Sequence, residues 1–134
     1  MNASDCENFG EIGNFLQVIE SWRQYENSPV TYFVVLNHSI PRLNGSSDIL
    51  YIGYTENLGG ENGRLWNYRY ATEGNGNDFR IREYARRLVE RGDSVSLRLC
   101  EQPPDGYSSH QYEGNLLKKF REEHWELPPW NSQG

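Results

Sequence analysis

Two runs rich in β-branched and aromatic residues, separated by a turn-forming stretch, constrain the fold most strongly. In the run 30–36, Tyr32, Val34 and Leu36 alternate with the apolar residues between them, which is the two-residue period of a β-strand. The second run covers about 49–54 and follows a polar stretch that contains Pro, Asn, Gly and Ser. The two runs therefore predict an antiparallel hairpin with a long connecting loop.

The spacing of apolar residues predicts the other elements. Intervals of three and four predict amphipathic helices over about 8–25, 78–91 and 108–124, and a shorter helix over about 64–71. The run 94–100 alternates as a third strand. The resulting order is helix, β, β, α, α, β, α. We therefore predict an α+β fold in which helices flank a three-stranded antiparallel sheet (a ββααβα core), with an extra N-terminal helix.

Length and composition restrict the class of protein. A chain of 134 residues with a hydrophobic fraction of 36% fits one folded domain. No run approaches the roughly 20 apolar residues that span a bilayer, and the N-terminus lacks the pattern of a secretory signal. Cys6 and Cys100 are too few for a disulfide framework, so we expect reduced thiols. These features predict a cytoplasmic, intracellular protein that does not bind membranes.

The charge distribution leaves nucleic-acid binding open. A net charge of −6 argues against strong non-specific binding. Within 64–91, however, seven Arg face four acidic residues, which gives this segment a charge of +3. Arginine pairs well with phosphate, although a solvated helix face would explain the same cluster. The candidate nucleic-acid-binding residues of this segment are Arg69, Arg80, Arg82, Arg86 and Arg87.

Several dispersed residues have the chemistry that hydrolysis of a phosphodiester requires. A phenol can relay a proton from water, an arginine can clamp a phosphate oxygen, and a carboxylate can hold a divalent metal. Each residue also has a simpler explanation, because strand tyrosines often border a core and arginines often pair with nearby acids. The three histidines share no zinc-ligand spacing with the cysteines. The candidate catalytic residues are Tyr32, Tyr51, Arg64, Tyr68, Glu113 and Asn131.

Taken in order, these residues resemble the motifs of the GIY-YIG nuclease superfamily over about 29–131. The first motif keeps its tyrosine in Pro29-Val30-Thr31-Tyr32 but has Val-Thr in place of Gly-Ile, and the second motif, Tyr51-Ile52-Gly53, is intact. Three later matches follow: Arg64 with Tyr68 one helical turn on, Glu113 on the last helix, and the closing Pro128-Pro129-Trp130-Asn131.

The resemblance implies a metal-dependent endonuclease that hydrolyses phosphodiester bonds in DNA, of a restriction type or a structure-selective repair type. It implies that Tyr32 positions the attacking water, that Tyr51 and Tyr68 assist, that Arg64 stabilises the phosphate, and that Glu113 holds one Mg²⁺ or Mn²⁺. Asn131 would hold the phosphate or the Glu113 side chain.

The resemblance also implies a domain division and a set of partners. It divides the chain into an N-terminal helical extension, 1–28, and a nuclease-like domain, 29–134. The expected partners are a DNA substrate and either a second copy of the chain or a recruiting protein. The acidic total and the altered first motif give some support to an alternative, a catalytically inactive module of the same fold that binds nucleic acid or protein.

Overall fold

The computed structural model describes residues 1–131 and contains a four-stranded sheet with helices on both faces. Its strands follow the order β1-β4-β2-β3, and every pairing is antiparallel. This arrangement confirms the predicted α+β class, with one strand more than expected in the described part of the chain. The elements are β1 (Gly10–Asn14), α1 (Phe15–Glu20), β2 (Val30–Pro41), β3 (Ser46–Thr55), α2 (Arg64–Arg69), α3 (Asn77–Glu90), β4 (Val95–Cys100) and α4 (Ser109–His124), with 3₁₀ turns at Ala3–Asp5, Trp22–Gln24 and Glu73–Asn75.

The prediction of a single helix over 8–25 is wrong. This segment forms the edge strand β1, which pairs with β4, and then the short helix α1. Glycine disfavours a helix interior, and Gly13 has a φ of +137° at a bulge in β1, where the chain changes direction. The segment 1–28 therefore contributes the edge strand β1 to the common sheet as well as the short helix α1.

The long loop predicted between the first two strands is also wrong. β2 continues to Pro41 and β3 begins at Ser46, so only the turn 42–45 joins them. In this turn the Arg42 N–H donates to the Gly45 carbonyl at 2.9 Å, and Gly45 has a φ of +71°. Residues 37–39 are polar and exposed but belong to β2. Because this part of the hairpin is surrounded by solvent, its sequence shows no apolar alternation that would predict a strand.

Alternation along β2 separates two apolar clusters. Tyr32, Val34 and Leu36 face α1, α2 and α3, whereas Phe33 and Val35 face α4. β2 pairs with β3 so that Tyr32 lies opposite Gly53 and Val34 lies opposite Tyr51. The register therefore brings the tyrosines of both motifs to the same face of the sheet, beside the edge strand β3. None of the helices in residues 1–131 has the length and apolar character to cross a membrane.

Candidate active site

Three phenols meet where β2, β3 and α2 pack together. The hydroxyls of Tyr32 on β2 and Tyr68 on α2 are 2.8 Å apart, and the two residues are only 2% and 1% exposed. The ring of Tyr51 on β3 lies 5.9 Å from that of Tyr32, and this side chain is only partly buried. Tyr51 is therefore the phenol that reaches the protein surface.

Burial is the main cause of the raised pKa values of these phenols. It raises the pKa of Tyr32 well above its ordinary value, with Tyr68 and Tyr51 adding to the effect. It also raises the pKa of Tyr68 and of Tyr51, although the positive charge of Arg64 opposes both shifts. All three residues are consequently neutral phenols near pH 7.

Gly53 allows the two motif tyrosines to approach each other. A Cβ atom at this position would lie 2.6 Å from Cζ of Tyr32 and 2.6 Å from Cε2 of Tyr51. Because these distances are far below van der Waals contact, any larger residue would push the rings apart. The glycine of the Tyr-Ile-Gly motif therefore has a packing role in the site.

Arg64 is held at the start of α2 by a glycine-rich turn. The Arg64 N–H donates to the Asn57 carbonyl at 2.7 Å, and a Cβ on Gly63 would lie 2.4 Å from the Gly59 carbonyl oxygen. The guanidinium lies 4.7 Å from the centre of the Tyr68 ring and forms an ion pair with Asp78 of α3. Its buried Nε has no hydrogen-bond partner among residues 1–131. Such a donor suits an incoming anion, because an unpaired buried N–H is costly.

Glu113 lies on α4, on the opposite face of the sheet from Tyr32 and Tyr68. It lies one turn into α4, whose start is fixed by Ser108, since the Ser108 hydroxyl accepts from the Gln111 N–H at 3.1 Å. Burial raises the pKa of the half-buried Glu113, and His110 partly opposes this shift. After burial and the opposing Arg64, the Glu113 charge is the next cause of the shifted pKa of Tyr51. The carboxylate therefore lies within electrostatic reach of that phenol.

Asn131 joins the C-terminal tail to the edge of β3. Its side-chain amide donates to the Ile52 carbonyl at 2.9 Å, and its side-chain oxygen accepts from the Ile52 N–H at 3.0 Å. Next to it, the Trp130 N–H donates to the Leu50 carbonyl at 2.9 Å. The amide of Asn131 thus hydrogen-bonds to the strand next to Tyr51 and Gly53. The sequence had led us to expect that it would bond to phosphate or to Glu113 instead.

The five candidate nucleic-acid-binding arginines do not form one surface. The four arginines on α3 lie on either side of the buried apolar face of that helix. Arg82 and Arg86 face α1, whereas Arg80 and Arg87 face Trp130. Arg69, Arg82 and Arg86 line a groove of about 570 Å³ between α1, α2 and α3.

Most of these arginines already have partners inside the protein. Arg69 pairs with Glu20 at 2.8 Å and Arg86 pairs with Glu83 at 2.8 Å. Arg82 donates to two carbonyls at the end of α2, at 3.0 and 3.1 Å, and Arg80 donates to the Trp130 carbonyl at 3.3 Å. A phosphate would have to compete with these partners.

The donor set restricts what metal the site could hold. Within residues 1–131, no group of three or more His, Cys, Asp and Glu side chains is placed to bind a metal ion. Asp78 is the other carboxylate near Tyr51, and it is paired with Arg64. A single free carboxylate suits Mg²⁺, which usually keeps several of its waters.

Asp78 is the site residue that sequence reasoning did not find. It lies in the first turn of α3, where an acidic residue is common because it stabilises the helix N-terminus. Nothing in its local sequence indicates that α3 packs against the start of α2. The ion pair with Arg64 depends on that packing.

Comparison with known proteins adds no relative. The chain matches no protein-family model, no curated protein and no solved structure. The resemblance to GIY-YIG nucleases therefore rests on the motif residues and on where the fold places them.

Proposed function

We propose that this protein is a metal-dependent endonuclease that hydrolyses phosphodiester bonds in DNA. The observation that carries the proposal is the convergence of Tyr32, Tyr51, Tyr68 and Arg64 at one edge of the sheet, with the Glu113 carboxylate in electrostatic reach. These residues come from four different elements, β2, β3, α2 and α4. DNA is the expected substrate, with a second copy of the chain or a recruiting protein to select the cleavage site.

The burial of the phenols changes the assignment of their roles. The hydroxyl of Tyr32 is enclosed and bonded to Tyr68, so it has no direct access to solvent water in this structure. The half-buried Tyr51 is the better candidate to hold the attacking water. Because it is neutral near pH 7, it would accept the water proton only after losing its own, an ionisation that the positive charge of Arg64 favours. Tyr32 packs against the Tyr51 ring and is itself held by its bond to Tyr68, so the two buried phenols support the position of Tyr51 from the protein interior.

Arg64 and Glu113 have separate roles in the proposed reaction. The guanidinium of Arg64 would bind a non-bridging phosphate oxygen and stabilise its growing negative charge, an effect often worth about 3 kcal/mol. Its position over the Tyr68 ring, beside the phenol cluster, supports this role. Glu113 would hold the cation, and bound Mg²⁺ would supply Lewis-acid polarisation of the phosphate. The half-buried position of the carboxylate limits competing hydration.

Cleavage assays with site variants test the proposal. We expect wild-type protein to nick plasmid DNA in Mg²⁺ or Mn²⁺ but not in EDTA. Glu113→Gln and Arg64→Ala should each lower the rate by roughly 100-fold or more, because each removes charge stabilisation from the transition state. Glu113→Gln should also raise the unfolding temperature at pH 7, since burial disfavours the ionised carboxyl and its raised pKa makes that charge destabilising above the pKa.

Glu122→Gln is the matched control because Glu122 is an exposed acid on the same helix. It should cleave like the wild type. Near-normal cleavage by both Glu113→Gln and Arg64→Ala would contradict the assignment.

A non-catalytic binding module is the second candidate. The Arg64–Asp78 ion pair and the enclosed Tyr32 favour it, because each of the two residues already has a partner inside the protein. This candidate predicts metal-independent binding of DNA or RNA with no cleavage of plasmid DNA, single-stranded DNA or RNA in any metal.

A further inference from the structure

Thr31 is a fully buried polar residue with one specific partner. Its side chain is 0% exposed, and its hydroxyl donates to the Ser109 carbonyl at 2.6 Å. A buried hydroxyl destabilises a protein unless it is hydrogen-bonded, so this bond ties β2 to the first residue of α4. Thr31 is also one of the two departures from the first motif, which resembles Gly-Ile-Tyr.

The Thr31–Tyr32 pair spans the sheet. Neighbouring residues of a strand point to opposite faces, so Tyr32 reaches toward α2 while Thr31 reaches toward α4. In an α-helix, the Ser109 carbonyl is also the acceptor for the N–H four residues later, which belongs to Glu113. Two consecutive residues of β2 are therefore linked to Tyr68 on one face and to the backbone of Glu113 on the other.

The other contacts between α4 and the sheet are mainly apolar. Leu116 and Phe120 of α4 pack with Phe33, Val35 and Ile52 in one cluster. Apolar packing is not directional and permits small displacements along the helix axis, whereas a short hydrogen bond fixes both distance and direction. At its C-terminal end, α4 is hydrogen-bonded to the β2–β3 turn through His124 and Asn44. The Thr31 bond is the directional contact at the N-terminal end, in the turn next to Glu113.

We propose that Thr31 is a positioning residue that fixes the distance between the Glu113 carboxylate and the phenol cluster. This inference rests on the proposed nuclease function, since the distance matters only if the two groups act on one phosphate. A displacement of about 1 Å in a catalytic group can cost roughly 100-fold in rate.

Three variants test this role. Thr31→Val keeps the shape of the side chain but removes the donor, and Thr31→Ser restores the donor. Ser47→Ala is the control. Ser47 is equally buried, and its hydroxyl donates to the Met1 carbonyl near the start of β3, at the other end of the strand from Tyr51 and Gly53. Measurements are kcat and KM for DNA, the Mg²⁺ concentration for half-maximal cleavage, thermal unfolding, and the crystal structure of Thr31→Val.

We expect Thr31→Val to lower kcat and to raise the half-maximal Mg²⁺ concentration by roughly tenfold or more, with little change in KM. Thr31→Ser should recover most of both values. Ser47→Ala should lose thermal stability with kcat unchanged. In the crystal structure of Thr31→Val, the first turn of α4 should shift relative to β2.

The possible results separate this inference from the proposed function. If the wild type cleaves but Thr31→Val matches it in kcat and Mg²⁺ dependence, or keeps α4 in place, the positioning role is wrong while the nuclease function stands. If Ser47→Ala reduces kcat as much as Thr31→Val does, the effect is one of general stability and the positioning role is again overturned. If the wild type cleaves no nucleic acid, the proposed function itself fails and this role fails with it.

Discussion

Tyr32 and Tyr68 place two hydroxyls in the protein interior, where each is the partner of the other. Their 2.8 Å hydrogen bond avoids the cost of two unpaired polar groups, and the Arg64 guanidinium over the Tyr68 ring brings a positive charge to the same place. Because burial raises the pKa of both phenols, ionisation of either one opposes folding.

The raised pKa of Tyr32 predicts a loss of stability at alkaline pH. Its neutral form stabilises the fold fully below the unfolded value of about 10, and this contribution is lost as pH rises above it toward the folded pKa. Tyr32→Phe should cost about 1 kcal/mol at pH 7, because Tyr68 loses its partner. Between about pH 9 and 11, the stability of Tyr32→Phe should fall less steeply than that of the wild type. Urea unfolding at several pH values measures both effects.

Tyr107→Phe is the control for this experiment, since Tyr107 is 41% exposed. It should leave the alkaline loss of stability as in the wild type. An equally steep alkaline loss in Tyr32→Phe and in the wild type would show that Tyr32 is not the group responsible.

At the scale of single residues, the sequence grouped side chains from separate elements but did not indicate how deeply they lie. The order of Tyr32, Tyr51, Arg64 and Glu113 predicted a common site, and the fold brings Tyr32, Tyr51 and Arg64 to one edge with Glu113 in electrostatic reach. The enclosure of Tyr32 could not be predicted, because it depends on the packing of α2 across the strand. The Asp78 partner of Arg64 depends on the same kind of tertiary contact.

Among the elements, the N-terminal segment shows why hydrophobic spacing alone can mislead. Phe9, Ile12 and Phe15 are three residues apart, as on one face of a helix, yet Phe9 packs with the α4 cluster and the other two with the opposite cluster. The spacing arises from a short strand, a bend at Gly13 and a short helix. The glycines at 10 and 13 were the sequence signal against a continuous helix.

Arg82 and Arg86 lie one turn apart on α3 but make different contacts, so their substitution tests how much the contact between α3 and α2 stabilises the protein. Arg82 donates to the Tyr68 and Arg69 carbonyls and so caps the end of α2, whereas Arg86 pairs with Glu83 on its own helix at the surface. Arg82→Ala should destabilise the protein by about 2 kcal/mol, since two part-buried carbonyls lose a charged donor. Arg86→Ala should cost less than about 1 kcal/mol. Urea unfolding at neutral pH measures both.

The two substitutions remove the same charge from the same groove, so each is the control for the other. If both variants lost equal stability, the hydrogen bonds of Arg82 to α2 would have no special importance. Loss of cleavage in Arg82→Ala alone would connect the cap of α2 to the position of Arg64.

For the whole molecule, the charge distribution opposes extensive contact with a nucleic-acid backbone. The net charge is −6, and the outward side of α3 between its two arginine rows carries Glu83 and Glu90. Three of the five candidate nucleic-acid-binding arginines form ion pairs, with Glu20 or Glu83, and a fourth donates to the Trp130 carbonyl. Under the proposed function, recognition of DNA would then depend on a few contacts close to Arg64.

This distribution predicts a shallow dependence of DNA affinity on salt. A protein that neutralises two or three phosphates should lose roughly 10- to 40-fold in affinity between 50 and 200 mM salt, whereas six or more contacts would cost at least about 1000-fold. Fluorescence anisotropy with a short DNA duplex, in Ca²⁺ to prevent cleavage, measures the slope. Glu20→Gln should steepen it by releasing Arg69, while Glu101→Gln, an exposed acid outside the groove, should not. A steep slope in the wild type would mean that the internal ion pairs open on binding, and the groove arginines would then belong to the DNA interface after all.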